Sequence, residues 1–238
     1  MLNELKEAVL AANLELVKQN LITLTWGNAS GLDRERKLVV IKPSGVAYEK
    51  LRARDMVVVG LDGKVMEGKL RPSSDTPTHL ALYRAWPDIG GVTHTHSAYA
   101  TMFAQACRPL ECYGTTHADG FHGPVPITRP LTEAEVKQAY EANTGVVILE
   151  QFAPNAGKPQ PLEMPGALVA NHGPFAFGKD AWDSVEHAVM LEACAKIAVG
   201  TLLLAPNMPP VPQYILDKHY FRKHGPGAYY GQRRTCYE

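Results

Sequence analysis

The chain has few cysteines, no surplus of either charge and no long hydrophobic run, and each shortage removes a class of protein. Only four of its 238 residues are cysteine, Cys107, Cys112, Cys194 and Cys236. None has CxxC spacing, and in a chain with a good core they read as free thiols in a reducing compartment. Lys plus Arg and Asp plus Glu balance at 24 each. A neutral chain without a basic stripe lacks the electrostatic footprint of a nucleic-acid binder. No run approaches the roughly 18 apolar residues that span a bilayer. Glu4 and Glu7 interrupt the opening apolar pattern, which therefore does not read as a signal peptide. A soluble, cytoplasmic protein with no membrane or nucleic-acid partner is expected. No repeat, charge block or low-complexity tract divides the sequence, so residues 1–238 read as one domain.

The elements that can be placed intermix helix and strand. Leu2, Leu5, Val9, Ala12 and Leu16 recur at steps of three and four, an apolar stripe on a helix. Val39 to Lys42 reads as a strand ending at Pro43-Ser44-Gly45. Val57 to Leu61 and Lys64 to Glu67 flank Asp62-Gly63, whose tolerance of positive φ predicts a hairpin. Asp75-Thr76-Pro77 predicts a helix start, with an acidic cap and proline in the first turn. That helix should run to Ala85 and stop before Pro87. Gly91 to Ser97, Val146 to Leu149 and Ala167 to Ala170 read as strands. Thr132 and Glu135 form a candidate capping box for a helix over 132–142. A long Ala-rich helix is expected from Asp180 to Leu204, and a last one over 212–223. Without a regular βαβ rhythm, these predict a mixed sheet covered by helices.

His94-Thr95-His96 lies on a predicted strand, so both imidazoles point to one face, with Cα atoms roughly 6.5–7 Å apart. That suits two nitrogen ligands on one ion. His172 stands at a strand-to-turn junction, and Asp75 at a helix start where exposed N–H groups stabilise a carboxylate. Three histidines and a carboxylate suit Zn²⁺ or the more oxygen-tolerant Mn²⁺. Asp75 is equally readable as a helix cap alone. His79, one turn further on, reads as a core-facing helical histidine, and nothing in their spacing singles out His117, His122, His187 or His224.

Three short segments, Gly27-Asn28, Ser44-Gly45 and Ser73-Ser74, have the small residues that let N–H and hydroxyl groups approach an oxyanion. Lys42 could add a point charge. Ser73-Ser74 also precedes a helix, whose N-terminal dipole favours an anion. A phosphate there would lie within one substrate length of the metal.

Taken together, Leu24 to Asn28, Lys42 to Gly45, Ser73 to His79, His94 to Ser97, Gly114 to Asp119, Asn171 to Phe175 and Asp217 to Tyr220 through Tyr229 to Gln232 resemble the class II aldolase/epimerase family, in order and along essentially the whole chain. The resemblance implies a three-layer α/β/α fold with a central, largely antiparallel sheet, assembled as a homotetramer with active sites between subunits. It implies a divalent ion, usually zinc, on Asp75, His94, His96 and His172. Asn28, Lys42, Ser44, Gly45, Ser73 and Ser74 would form the phosphate site. Asp119 and Tyr230 of a neighbouring copy would be the acid/base groups, with Thr116 and His219 close by. The implied activity is that of an isomerase inverting one centre of a phosphorylated pentulose by breaking and remaking a carbon–carbon bond. Rival readings are an aldolase on a related ketose phosphate, a dehydratase of the same fold, a metal-dependent hydrolase and a non-catalytic adducin-like assembly module. The chain departs from the family in a proline-rich segment over 153–162 and in a tail beyond Gln232.

Overall fold

Seven short strands, contributed by segments from both ends of the chain, form one sheet. The computed structural model describes residues 2–152 and 160–231. Most of the 153–162 segment and all of the tail beyond Gln232 lie outside them. The strands are β1 (Asn28–Asp33), β2 (Leu38–Ile41), β3 (Val57–Gly60), β4 (Val65–Glu67), β5 (Gly91–His94), β6 (Gly166–Leu168) and β7 (Pro174–Gly178). The helices are α1 (Leu2–Lys18), α2 (Thr76–Ala85), α3 (Ala98–Gln105), α4 (Thr115–Ala118), α5 (Glu133–Leu149), α6 (Ala181–Leu204) and α7 (Gln213–Lys223). The sheet runs β4-β3-β2-β1-β5-β7-β6, and every neighbouring pair is antiparallel.

Alternation along the strands makes two cores. Val39, Ile41, Val57, Val59, Val92, Phe175 and Phe177 point to one face, where they meet Leu80, Tyr83, Phe103 and Ile148 from α2, α3 and α5. Val40, Val58, Ala29 and Ala176 point to the other and meet Val9, Ala12 and Leu16 of α1 and Ala181 and Val185 of α6. Period-two side-chain direction thus gives a sheet buried on both sides, the three-layer α/β/α arrangement. Each large aliphatic chain sealed in this way contributes about 1.5–3 kcal/mol. The start of α6 lies against β5 and β7, and only glycine permits the approach: a Cβ on Gly91 would stand 1.9 Å from the Asp180 carbonyl oxygen. By length and composition α6 could cross a bilayer, although no uninterrupted apolar run announces it; here it packs on the sheet.

Most expected elements form where their signals placed them. Asp180 caps α6 by accepting from the Asp183 N–H, and Thr132 with Glu135 makes the capping box of α5. Two expectations are corrected. Val146 to Leu149 is not a strand but the last turn of α5, with Val147 and Ile148 buried. A four-residue apolar run does not separate strand from helix by itself, and here Gly145 lets α5 close onto Ala81 of α2. The strand expected over 91–97 ends at His94, because both its neighbours stop there: β1 begins at Asn28, opposite His94, and β7 begins at Pro174.

Candidate metal and anion site

The ends of β1, β5 and β7 meet at one edge of the sheet, and the candidate groups collect there. His94 is the last residue of β5. His96 lies two residues beyond, in the link to α3, and His172 lies in the turn between β6 and β7, next to Asn171 at φ 61°. One ligand atom from each histidine falls within 4.8 Å of the others. The ring centroids are 4.9 Å apart for His94 and His96, 4.7 Å for His94 and His172, and 5.1 Å for His96 and His172. His94 stacks on Phe175 at 4.2 Å, which fixes its ring plane.

The donor chemistry fits a divalent cation. The His94 Nδ1 lies 2.9 Å from the Pro174 carbonyl. A carbonyl only accepts, so Nδ1 carries the proton and Nε2 presents a lone pair. That Nε2 faces the His96 Nε2 at 3.1 Å. Burial, reinforced by the neighbouring His94 and His96, pushes the His172 pKa down to about 3. Burial also lowers His96, with His94 adding to the effect. Neutral imidazoles at neutral pH are the form a metal ion takes up.

Asp75 precedes α2 as its N-cap residue, yet its side chain makes no capping hydrogen bond. The simple cap reading therefore fails. Its carboxylate accepts from Asn28 Nδ2 at 2.7 Å and lies close enough to feel His94, His79 and His172. Burial alone would raise its pKa; the surrounding histidines and Asn28 outweigh this and hold it below the ordinary carboxylate range. It stands beside the histidine triad, outside the set of ligand atoms within 4.8 Å.

All the expected anion segments open on the same cavity of about 570 Å³, whose walls include Gly27, Asn28, Lys42, Ser44, Gly45, Ser73, Ser74, Asp75, His94, His96 and His172. An isolated bridge between Pro43 and Pro72, with Ser44 N–H donating to the Arg71 carbonyl and Ser73 N–H to that of Lys42, brings segments 42–44 and 71–74 together. Lys42 is 2% exposed. Its Nζ lies 4.6 Å from the centre of the Tyr48 ring, and burial lowers its pKa. Asn28 Oδ1 is buried without a partner.

Four other expected residues lie elsewhere in this chain. Asp119 follows α4 and its carboxylate is gripped by α7: Arg222 donates at 3.0 and 2.7 Å, Lys223 stands at 3.2 Å and His219 Nδ1 at 3.1 Å. Burial would raise its pKa, but Arg222, His219 and Lys223 together hold it low. Tyr230 covers the same cations, its ring centre 4.7 Å from the Arg222 guanidinium and 4.6 Å from Lys223 Nζ. Thr116 lines a small hollow of about 50 Å³ with Glu111 and Cys194. Among the described residues, Asp119, Thr116, His219 and Tyr230 are absent from the histidine cavity.

The cavity also contains residues that the sequence did not single out. Tyr140 and Glu141 reach it because the backbone at Ala139 is non-helical (φ −162°, ψ 74°) and kinks α5. The Tyr140 hydroxyl stands 3.3 Å from His172 Nδ1. Thr25 and Trp26 line the rim. His79 is fully buried, bonded to Ser30 Oγ at 2.8 Å, as its position on α2 predicted.

An antiparallel sheet with a histidine cluster at one edge, in a cavity also lined by serine, asparagine and lysine, defines a metal-dependent class of α/β enzyme. The chain belongs to the class II aldolase and adducin N-terminal domain family, whose pattern matches residues 7–199. It is 54% identical over 232 residues to the L-ribulose-5-phosphate 4-epimerase UlaF of Salmonella paratyphi A, covering 98% of this chain and 100% of that one. The UlaF of Salmonella typhi gives the same values. Among solved structures, an L-fuculose 1-phosphate aldolase superposes with a TM-score of 0.76 at 26% identity, covering 92% of this chain and 95% of that one. The L-fuculose 1-phosphate aldolase of Glaciozyma antarctica PI12, at 19% identity and a TM-score of 0.72 over 95% and 84% of the two chains, shares the fold.

Proposed function

We propose that this chain is a metal-dependent epimerase interconverting L-ribulose 5-phosphate and D-xylulose 5-phosphate. The observation that carries the reading is one cavity in which three converging imidazoles face an anion-holding wall built on Asn28, Lys42, Ser44, Gly45, Ser73 and Ser74. The 54% identity to proteins named L-ribulose-5-phosphate 4-epimerase supports the substrate.

Asp75, His94, His96 and His172 would hold the ion, and Zn²⁺ is the assignment that three imidazoles and one carboxylate favour. When bound, it supplies positive charge at the C2 oxygen and a neighbouring hydroxyl, where negative charge develops. In the forward direction a base removes the C4 hydroxyl proton. The C3–C4 bond breaks, its electron pair staying with C3, to give the enediolate of dihydroxyacetone and glycolaldehyde phosphate. The phosphate-binding wall retains the aldehyde while it rotates. C3 then attacks the opposite face of C4, and the new alkoxide takes a proton.

Two acid/base groups are wanted, one for each face. Asp119 and Tyr230 of a neighbouring copy fill the roles, with Thr116 and His219 beside them, in a cytoplasmic homotetramer. Asp119, ionised at neutral pH, is available as the base, and the Tyr230 phenol O–H as the acid. The likeness to L-fuculose 1-phosphate aldolase supports one alternative, an aldolase that releases its fragments.

The test is direct. Purified protein, loaded with Zn²⁺ to about one ion per chain, is given L-ribulose 5-phosphate. Formation of D-xylulose 5-phosphate with little free glycolaldehyde phosphate is the expected result. Accumulation of both fragments moves the assignment to aldolase, and no turnover by the loaded protein refutes the epimerase reading.

A further inference from the structure

The chain has three tryptophans, and two are accounted for by packing or local contact. Trp86 is buried against Phe152 and Phe177, with ring centroids 5.0 and 4.9 Å away. Trp182 lies along α6 and donates to Glu186. Trp26 is different. It is 52% exposed, it lines the rim of the cavity, and its ring centre is 6.1 Å from that of His96 at an interplanar angle of 50°.

Its place is not that of a loose surface side chain, because the turn carrying it is clamped. The Trp26 N–H donates to the Thr23 carbonyl. Leu24 sits at φ 55° and Gly27 at φ 91°, conformations costly for leucine and natural for glycine. Gly27 is pressed so close beneath the sheet edge that a Cβ there would stand 2.8 Å from the His94 carbonyl oxygen. From the other side, the buried Tyr48 hydroxyl donates to the Gly27 carbonyl at 2.8 Å. The indole therefore projects from a fixed turn, between the histidine cluster and the anion-holding wall.

Most other lining side chains carry amide, hydroxyl, carboxylate, ammonium or imidazole groups; besides Trp26, only Pro43 and the Tyr140 ring offer broad apolar surface. A reaction that passes through two separated fragments needs the opposite at its mouth: a flat apolar cover that keeps water away and the aldehyde in place while it turns. We infer that Trp26 is a specificity-determining residue, the cover that retains the two-carbon aldehyde fragment and so commits the cavity to epimerisation instead of cleavage. The inference rests on the epimerase reading of this site.

The experiment follows both fates of L-ribulose 5-phosphate in the zinc-loaded protein, its Trp26→Ala variant and its Trp26→Phe variant: D-xylulose 5-phosphate formed, and glycolaldehyde phosphate released. Zinc content and circular dichroism check that each variant is loaded and folded. In Trp26→Ala, the ratio of released aldehyde to epimer should rise roughly tenfold or more, the scale on which losing a positioning contact alters a rate. Trp26→Phe should fall between that and the parent. A folded, loaded Trp26→Ala whose ratio matches the parent overturns the inference, as does an equal fall in both products. If Trp26→Ala is misfolded or inert, Trp26→Phe decides by the same ratio. A second readout needs no turnover: glycolaldehyde phosphate should quench the indole fluorescence of the parent but not that of Trp26→Phe, and equal quenching in both counts against the assignment. Failure of the parent to epimerise would refute the underlying reading; an epimerising parent with an indifferent Trp26 refutes this inference alone.

Discussion

Two regions hold the chemistry-bearing residues of this chain, and they are built in opposite ways. In the first, the ends of β1, β5 and β7 bring His94, His96 and His172 within ligand distance of one another, and no salt bridge neutralises Lys42 or Asp75 among the described residues. Asn28 Oδ1 is buried without a partner. In the second, Asp119, His219, Arg222, Lys223 and Tyr230 satisfy one another around a single carboxylate. One region lines a cavity of about 570 Å³. In the other, a single carboxylate is held by two fixed cations, Arg222 and Lys223, away from the histidine cavity. The proposed function joins the two regions, one from each of two copies, into a single site.

The largest expected effect separates the regions by metal content. His94→Ala should reduce bound zinc to near zero and slow epimerisation by roughly 10²–10³ or more, the scale of a lost electrostatic stabiliser; metal analysis and the substrate assay check it. Asp119→Asn and Tyr230→Phe should each slow epimerisation by roughly 10²-fold, the low end for general acid/base groups, while zinc stays at the parental level. Loss of zinc in either would erase the distinction between the regions.

A third expectation concerns acid. Burial pulls His79, beneath the first region, down to about 3, and His117, whose Nε2–H donates to the Gly123 carbonyl at 2.7 Å, down to about 4. Both pKa values lie below the unfolded value near 6.5, so between those limits the unfolded chain binds more protons. Stability is full above about pH 6.5 and falls as pH drops toward 4, by up to about 1.4 kcal/mol per group per pH unit. Urea midpoints measured from pH 7.5 to pH 4.5 should decline accordingly, and a flat profile would contradict the burial of both. The smallest effect should come from the scaffold: Asp180→Ala removes the α6 cap at a cost of about 1 kcal/mol, lowering Tm without altering zinc content or rate.

Much of the first region was legible because its residues sit beside punctuation. Pro43, Gly45, Pro77, Gly173 and Pro174 mark the turns where Lys42, Asp75 and His172 emerge, and spacing alone put His94 and His96 on one side. The strand end at His94 was not legible, because it depends on where β1 and β7 stop. β1 itself carries Asn28, Ser30 and Gly31 in place of branched apolar residues, and it is a strand because it is buried between β2 and β5. Tyr140 and Glu141 were invisible for the same kind of reason: the Ala139 kink that turns them inward has no proline or glycine to announce it. In the second region, Asp119 and Tyr230 are 111 residues apart in sequence and carry no local motif, so only the family resemblance singled them out.

The claim that the two regions belong to one site on different copies is tested most directly by mixing. His94→Ala and Asp119→Asn, each strongly slowed alone, are co-expressed with different tags, and assemblies containing both are purified. Sites that pair an intact histidine cluster from one copy with an intact Asp119 from another should restore epimerisation well above either variant. Mixed assemblies that hold zinc and both chains yet remain as slow as the single variants would contradict the account.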